Sequence, residues 1–106
     1  MAAKKSDFFA IAWHGSAGIE QAHSLKDELM QAFEQNSKIL LDISQIDDID
    51  ITGIQLIIAA HKEAEKLGRQ FFVIKNIPKQ ISDFIALSGV IIDNYTIQMP
   101  EENANA

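Results

Sequence analysis

The chain has 106 residues, of which 47% are hydrophobic and 23% charged, as expected for one folded domain with a buried core. Nine Lys and Arg residues against fifteen Asp and Glu residues give a net charge of -6. This charge argues against binding to nucleic acid or to an anionic membrane surface. The absence of cysteine excludes disulfides and thiolate metal sites. No apolar run approaches the roughly 18 residues of a membrane span, so the sequence predicts a cytoplasmic protein without membrane insertion.

In chain order, buried strands alternate with helices that are apolar on one side. The apolar runs predict strands near residues 7–13, 38–43, 70–75 and 94–98. Helical spacing of apolar residues predicts helices over 20–35, over 53–67 and after Pro78. This alternation implies an α/β fold with a mostly parallel central sheet of about four to five strands, flanked by helices. We expect a single domain over 1–106, with a frayed tail at 100–106.

The second strand is predicted to end near Ile43, and the segment 44–50 is predicted to be a polar, acidic loop. Functional sites of parallel sheets lie at the carboxyl ends of the strands, which is where this loop would be. The sequence also predicts four large core residues, namely Phe33, Ile57, Phe72 and Phe84.

The acidic segment matches two chemical patterns. Asp48, Asp50 and Thr52 fit the D-x-D-x-T pattern of haloacid-dehalogenase-type phosphatases, but that chemistry needs its first Asp directly at the end of an apolar strand. Asp47, Asp48 and Asp50 could hold a divalent cation, although a solvated acidic loop is the commoner explanation. We therefore expect no catalytic residue, no metal site and no cofactor.

Thr52 lies just before a strongly predicted helix, where its hydroxyl has two interpretations. It could cap the helix by accepting a free backbone N–H. It could also carry a phosphate, which the exposed N–H groups and the positive end of the helix dipole would stabilise while the neighbouring carboxylates repel it. The residues alone leave both interpretations open.

Several spaced segments resemble the STAS domain family of sulfate transporters and anti-sigma factor antagonists. The central segment 40–54 resembles the family's apolar strand, its L-D-[LI]-S segment and its D-S-[ST]-G turn. Residues 60–62, Gly68, residues 77–78 and residues 86–90 resemble later motifs of the family in the same order. Ile51 replaces the first hydroxyl residue of the turn, and Thr52 occupies the position that the family's bacterial regulators phosphorylate.

The resemblance implies a non-catalytic signalling module with Thr52 as the phosphorylation site. It implies binding to a partner-switching kinase or an anti-sigma factor. The partner-binding residues would surround the turn and comprise Asp47, Asp48, Asp50, Ile51, Thr52, Gly53 and Ile54. The alternative is a STAS accessory subunit that docks on the ATPase of a phospholipid-transport complex without phosphorylation. A homodimer is left open.

Overall fold

The computed structural model describes residues 8–97 and confirms the predicted alternation of strands and helices. Its strands are β1 (Phe9–Ala17), β2 (Lys38–Ile49), β3 (Gln70–Ile74) and β4 (Thr96–Ile97). Its helices are α1 (Ala22–Gln35), α2 (Ile51–Leu67), α3 (Lys79–Leu87) and a short 3₁₀ helix (Ile92–Tyr95). The predicted tail at 100–106 lies outside the described residues, as do residues 7 and 98 at the ends of the predicted outer strands.

The sheet is parallel throughout, with the strand order β1-β2-β3-β4. Helices join the successive strands, because a parallel pair needs a crossover connection rather than a tight turn. The predicted α/β fold with a parallel central sheet is therefore confirmed. This topology brings the carboxyl ends of β1 and β2 to the same edge of the sheet as the start of α2.

The hydrophobic core contains inward-facing residues of the sheet and residues of all three α-helices. Phe33 of α1 contacts Phe71 of β3 edge to face, with ring centroids 6.0 Å apart. Ile57 of α2 is 1% exposed and Phe33 is 2% exposed. The prediction that these two residues belong to the core is confirmed.

Two predicted core residues lie elsewhere. Phe72 is half-buried and Phe84 is 38% exposed, so their assignment to the core is wrong. Successive side chains of a strand point to opposite faces, and the inward position of β3 is taken by Phe71. In α3 the buried positions are Ile81 and Ile85, which are one helical turn apart.

The second strand is longer than predicted, because β2 continues through the expected acidic loop to Ile49. Its buried residues Ile43, Ile46 and Ile49 are three positions apart, a spacing that an unbroken strand would turn to opposite faces. The pairing with β1 shifts at two places, and at each place β2 contains one extra residue. These bulges allow all three isoleucines to remain buried.

Helix α2 ends where the sequence predicts. Gly68 has a φ of 72°, and its backbone N–H donates to the carbonyl oxygens of Ala64 and Glu65. This left-handed conformation favours glycine at the end of a helix. Within residues 8–97, no helix combines the length and the apolar character that a membrane crossing requires.

Candidate functional site

The candidate site lies where β1 and β2 end and α2 begins. Asp50 is the N-cap residue of α2, with an extended backbone. Its backbone N–H donates to the carbonyl oxygen of Ala17, the last residue of β1, over 3.4 Å. The two strand ends and the helix start are therefore joined at Asp50.

The carboxylate of Asp50 connects two segments that are distant in sequence. Its Oδ1 accepts the backbone N–H of Gly53 at 3.1 Å, in the first turn of α2. Its Oδ2 accepts the backbone N–H of Ile19 at 3.0 Å, in the connection between β1 and α1. The hydrogen bond from Ile19, followed by that from Gly53, lowers the pKa of Asp50 below its usual value of 3.8. Both carboxylate oxygens of Asp50 therefore accept hydrogen bonds from backbone N–H groups.

Two glycines lie where the start of α2 and the Asp50 side chain come close to neighbouring atoms. A Cβ at Gly53 would clash with the carbonyl oxygen of Ala17 and with the side chain of Ile49. A Cβ at Gly18 would lie 2.8 Å from Oδ2 of Asp50. Gly53 therefore lets the first turn of α2 pack directly on the end of β1, and Gly18 leaves room for the Asp50 carboxylate.

Thr52 is the second residue of α2 and is half-buried. Its hydroxyl takes part in no hydrogen bond among residues 8–97. The N-cap hydrogen bond is made by Asp50, so the interpretation of Thr52 as the helix cap is wrong. The N-cap residue is Asp50, and aspartate is a residue type that is favourable at this position.

Two exposed isoleucines flank the Asp50 carboxylate. Ile51 follows Asp50 directly and is 48% exposed, and Ile19, which donates to Asp50, is 70% exposed. The predicted binding set includes Ile51 but not Ile19. The available signal was an apolar residue in a connection between elements, after Gly18, where no core position is expected.

Asp47 and Asp48 are exposed near the end of β2, not in a loop as predicted. They line a groove of about 250 Å³ together with Gln80 and Phe84 of α3. The side-chain amide of Gln80 donates to the backbone carbonyl oxygen of Asp47 at 3.2 Å. The extension of β2 thus fixes the two carboxylates on a strand beside the exposed ring of Phe84.

The last two residues of the predicted binding set lie inside the protein. Gly53 is buried, and Ile54 is 2% exposed within the core. Their place in the partner-binding set stays a prediction, and a partner would reach these two residues through the backbone rather than through an exposed side chain. Their burial holds the first turn of α2 against the core.

The carboxylates of this segment lie in different surroundings. In the described part of the chain, no group of three or more His, Cys, Asp or Glu residues lies close enough to hold a metal ion. Asp50, the second carboxylate of the D-x-D-x-T pattern, is occupied as a helix cap.

Comparison with family models agrees with the resemblance seen in the motifs. Residues 3–92 match the model described as Mlab, STAS domain. A search of the curated proteins finds no match.

Solved structures share the fold at low sequence identity. The anti-sigma factor antagonist SpoIIAA in its unphosphorylated form is 16% identical, with a TM-score of 0.71 over 92% of this chain and 84% of that chain. The phosphorylated form of SpoIIAA from Bacillus is 16% identical, with a TM-score of 0.65 over 92% of this chain and 87% of that chain. The murine Solute Carrier 26 family member A9 anion transporter is 18% identical, with a TM-score of 0.71 over 88% of this chain but only 16% of that chain. Since the family model covers most of the sequence and the fold agrees, the chain belongs to the STAS domain family.

Proposed function

We propose that this protein is a non-catalytic cytoplasmic regulator that binds a partner-switching kinase or an anti-sigma factor and is released by phosphorylation of Thr52. The observation that carries the proposal is the Thr52 hydroxyl, which has no hydrogen-bond partner among residues 8–97 and lies in the first turn of α2. Family membership supports this role, as does the existence of SpoIIAA in an unphosphorylated and a phosphorylated form.

The partner would contact a mixed apolar and acidic surface. We define this partner surface as Ile19, Asp47, Asp48, Ile51 and Thr52. The exposed isoleucines supply apolar area that a partner can cover, and the two carboxylates attract basic residues during the approach. A kinase or anti-sigma factor with basic residues in its binding region would fit this surface.

A phosphate on Thr52 would act on the partner surface more than on the fold. It adds about -1.5 to -2 charge, which the positive end of α2 stabilises and the nearby Asp50 carboxylate opposes. These two effects offset each other in the isolated domain. In the complex, the phosphate would also take up space between the two proteins, so binding should weaken.

The first test is phosphorylation itself. The purified protein would be incubated with ATP and an extract of its native cells, and then analysed by intact-mass spectrometry and peptide mapping. We expect one added phosphate, absent in Thr52→Ala and retained in the matched hydroxyl variant Ser24→Ala on α1. Unmodified wild-type protein, or a phosphate on another residue, would refute the phosphorylation part of the proposal.

The second test measures binding to the partner identified by affinity capture. Thr52→Glu should weaken binding at least tenfold, equivalent to about 1.4 kcal/mol, with the melting temperature nearly unchanged. Thr52→Ala should bind and resist release.

Asp47→Lys should slow association at low salt, whereas Glu34→Lys, the same charge change near the far end of α1, should not. Equal association rates for Asp47→Lys and the wild type would place the interface elsewhere.

A transport-accessory role is the second candidate, and the exposed Ile51 favours it. The family turn has a hydroxyl residue at this position, whereas Ile51 offers apolar surface and no phosphate acceptor. In that case the domain would dock on an ATPase without phosphorylation. Binding to a captured ATPase that is lost in Ile51→Asp, together with no phosphate on Thr52, would select this role.

A further inference from the structure

The two longest helices enclose a groove that the proposed function does not use. A cavity of about 290 Å³ opens between α1 and α2. Its floor is apolar and consists of the buried residues Leu29, Phe33 and Ala60. Its edges include Met30, which is 42% exposed, and the exposed Ala59. The groove is therefore an apolar surface between helices, open to another molecule.

The rim of the groove carries one charge of each sign. Lys26 lies on the α1 side and Glu63 lies on the α2 side. Among residues 8–97, neither side chain takes part in an ion pair or a hydrogen bond. Their charges are therefore not neutralised by a neighbour in the described part of the fold.

We propose that the occupant of this groove is a second copy of the same chain, related by a two-fold axis. In a two-fold interface, a contact from the first copy to the second is repeated from the second to the first. A surface with a cation on one wall and an anion on the other is complementary to itself under this rotation. Lys26 of each copy would then face Glu63 of the other, so one pairing occurs twice.

The side chains between the charges suit close packing of helices. Ala59 has a short side chain, so a facing helix can approach α2 closely. Met30 is flexible and can adapt its shape to the opposing groove. The copies would therefore bury their apolar walls against each other, with the two charge pairs at the rim.

The size of the helix pair predicts a weak dimer. The 14 residues of α1 make it about 21 Å long, and two adjacent helices are about 20 Å wide. The projected face is then about 400 Å², against about 800 Å² per partner in a standard stable interface. We expect reversible association with a dissociation constant in the micromolar range or weaker.

Sedimentation velocity over a wide range of protein concentrations tests the proposal. The wild type should shift from monomer to dimer as its concentration rises. Lys26→Glu and Glu63→Lys should each weaken the dimer at least tenfold, because like charges then face each other twice. An equimolar mixture of these two variants should form the dimer again, since every facing pair becomes Glu with Lys. Lys62→Glu, an exposed neighbour on α2 that does not line the groove, should behave like the wild type.

Three results would overturn the proposal. The wild type could remain monomeric throughout the range, a dimer could form that neither charge reversal weakens, or the mixture could fail to recover what the single variants lose. Thermal melting of each variant distinguishes misfolding from loss of the interface. Thr52 does not line the groove, so Thr52→Glu should keep the dimer, and the outcome is independent of the proposed partner binding.

Discussion

The side chain of Asp50 stabilises two connections at once, because its oxygens accept the N–H groups of Ile19 and Gly53. These hydrogen bonds lower the pKa of Asp50 in the folded protein. A carboxyl group whose folded pKa is lowered contributes stability above its unfolded pKa, and the contribution is lost as the pH falls through the folded pKa. The charged form of Asp50 therefore stabilises the contact between the β1–α1 connection and the first turn of α2.

Asp50→Asn should remove this pH dependence. Asparagine can still accept one N–H through its single amide oxygen, but its nitrogen cannot accept the second. We expect the wild type to exceed the variant in free energy of unfolding by a constant amount above about pH 5, with a difference that shrinks at more acidic pH. Urea denaturation of both proteins across the acidic range measures this difference. A difference that stays constant to the lowest pH would mean that the charge of Asp50 is not involved.

Gly53 sets how closely α2 approaches β1. Gly53→Ala should lower the free energy of unfolding by about 1–3 kcal/mol, because the added methyl group would overlap the Ala17 carbonyl oxygen and the Ile49 side chain. Intrinsic helix propensity predicts the opposite sign, a gain of about 1 kcal/mol for alanine over glycine. Urea denaturation distinguishes the two effects, and a more stable variant would show that the backbone can move apart at little cost.

At the scale of elements, the strand and helix order follows from the sequence because each buried segment is a local apolar pattern. The length of β2 does not follow from the sequence. It depends on the pairing with β1 and on two bulges, which no local pattern of residues indicates. Spacing of three between Ile43, Ile46 and Ile49 fits neither a regular strand nor a long helix, so the segment resembled a loop. Polar residues between the isoleucines strengthened that interpretation.

Ile46→Ala tests whether the end of β2 belongs to the core. Ile46 is 3% exposed, so its truncation should lower the free energy of unfolding by about 2–5 kcal/mol. Gln45→Ala, at an exposed neighbouring position of the same strand, should change it by about 0.5 kcal/mol or less. Chemical denaturation of both variants measures the contrast. Equal, small effects would indicate that this segment behaves as the loop that the sequence suggested.

At the scale of the whole molecule, the position of the candidate site follows from the sequence but its internal geometry does not. A turn between a buried strand and a helix places Asp50 and Thr52 at the carboxyl edge of the sheet. The contact between Asp50 and Ile19 joins residues that are 31 positions apart, so only the folded chain reveals it. The same applies to Phe84, whose ring reaches the groove beside Asp47 from a helix that follows another strand.

The whole domain should unfold as one cooperative unit. Within residues 8–97, one core contains residues of α1, α2, α3 and the inward face of the sheet, so these helices share their apolar contacts. The 3₁₀ helix is attached through Tyr95, whose ring contacts that of His61 on α2 with centroids 4.9 Å apart. Loss of any one helix would therefore expose apolar surface on its neighbours.

The single tryptophan, Trp13, reports on this core because it is 2% exposed on β1. We expect blue-shifted emission in the folded state and a red shift on unfolding in urea. The fluorescence transition should coincide with the loss of helix followed by far-ultraviolet circular dichroism, because both probes follow one equilibrium. The protein concentration must lie below the range of self-association, and Lys26→Glu should give the same coincidence. If fluorescence changed at lower urea than the helical signal, β1 would detach before the helices, and the domain would contain more than one folding unit.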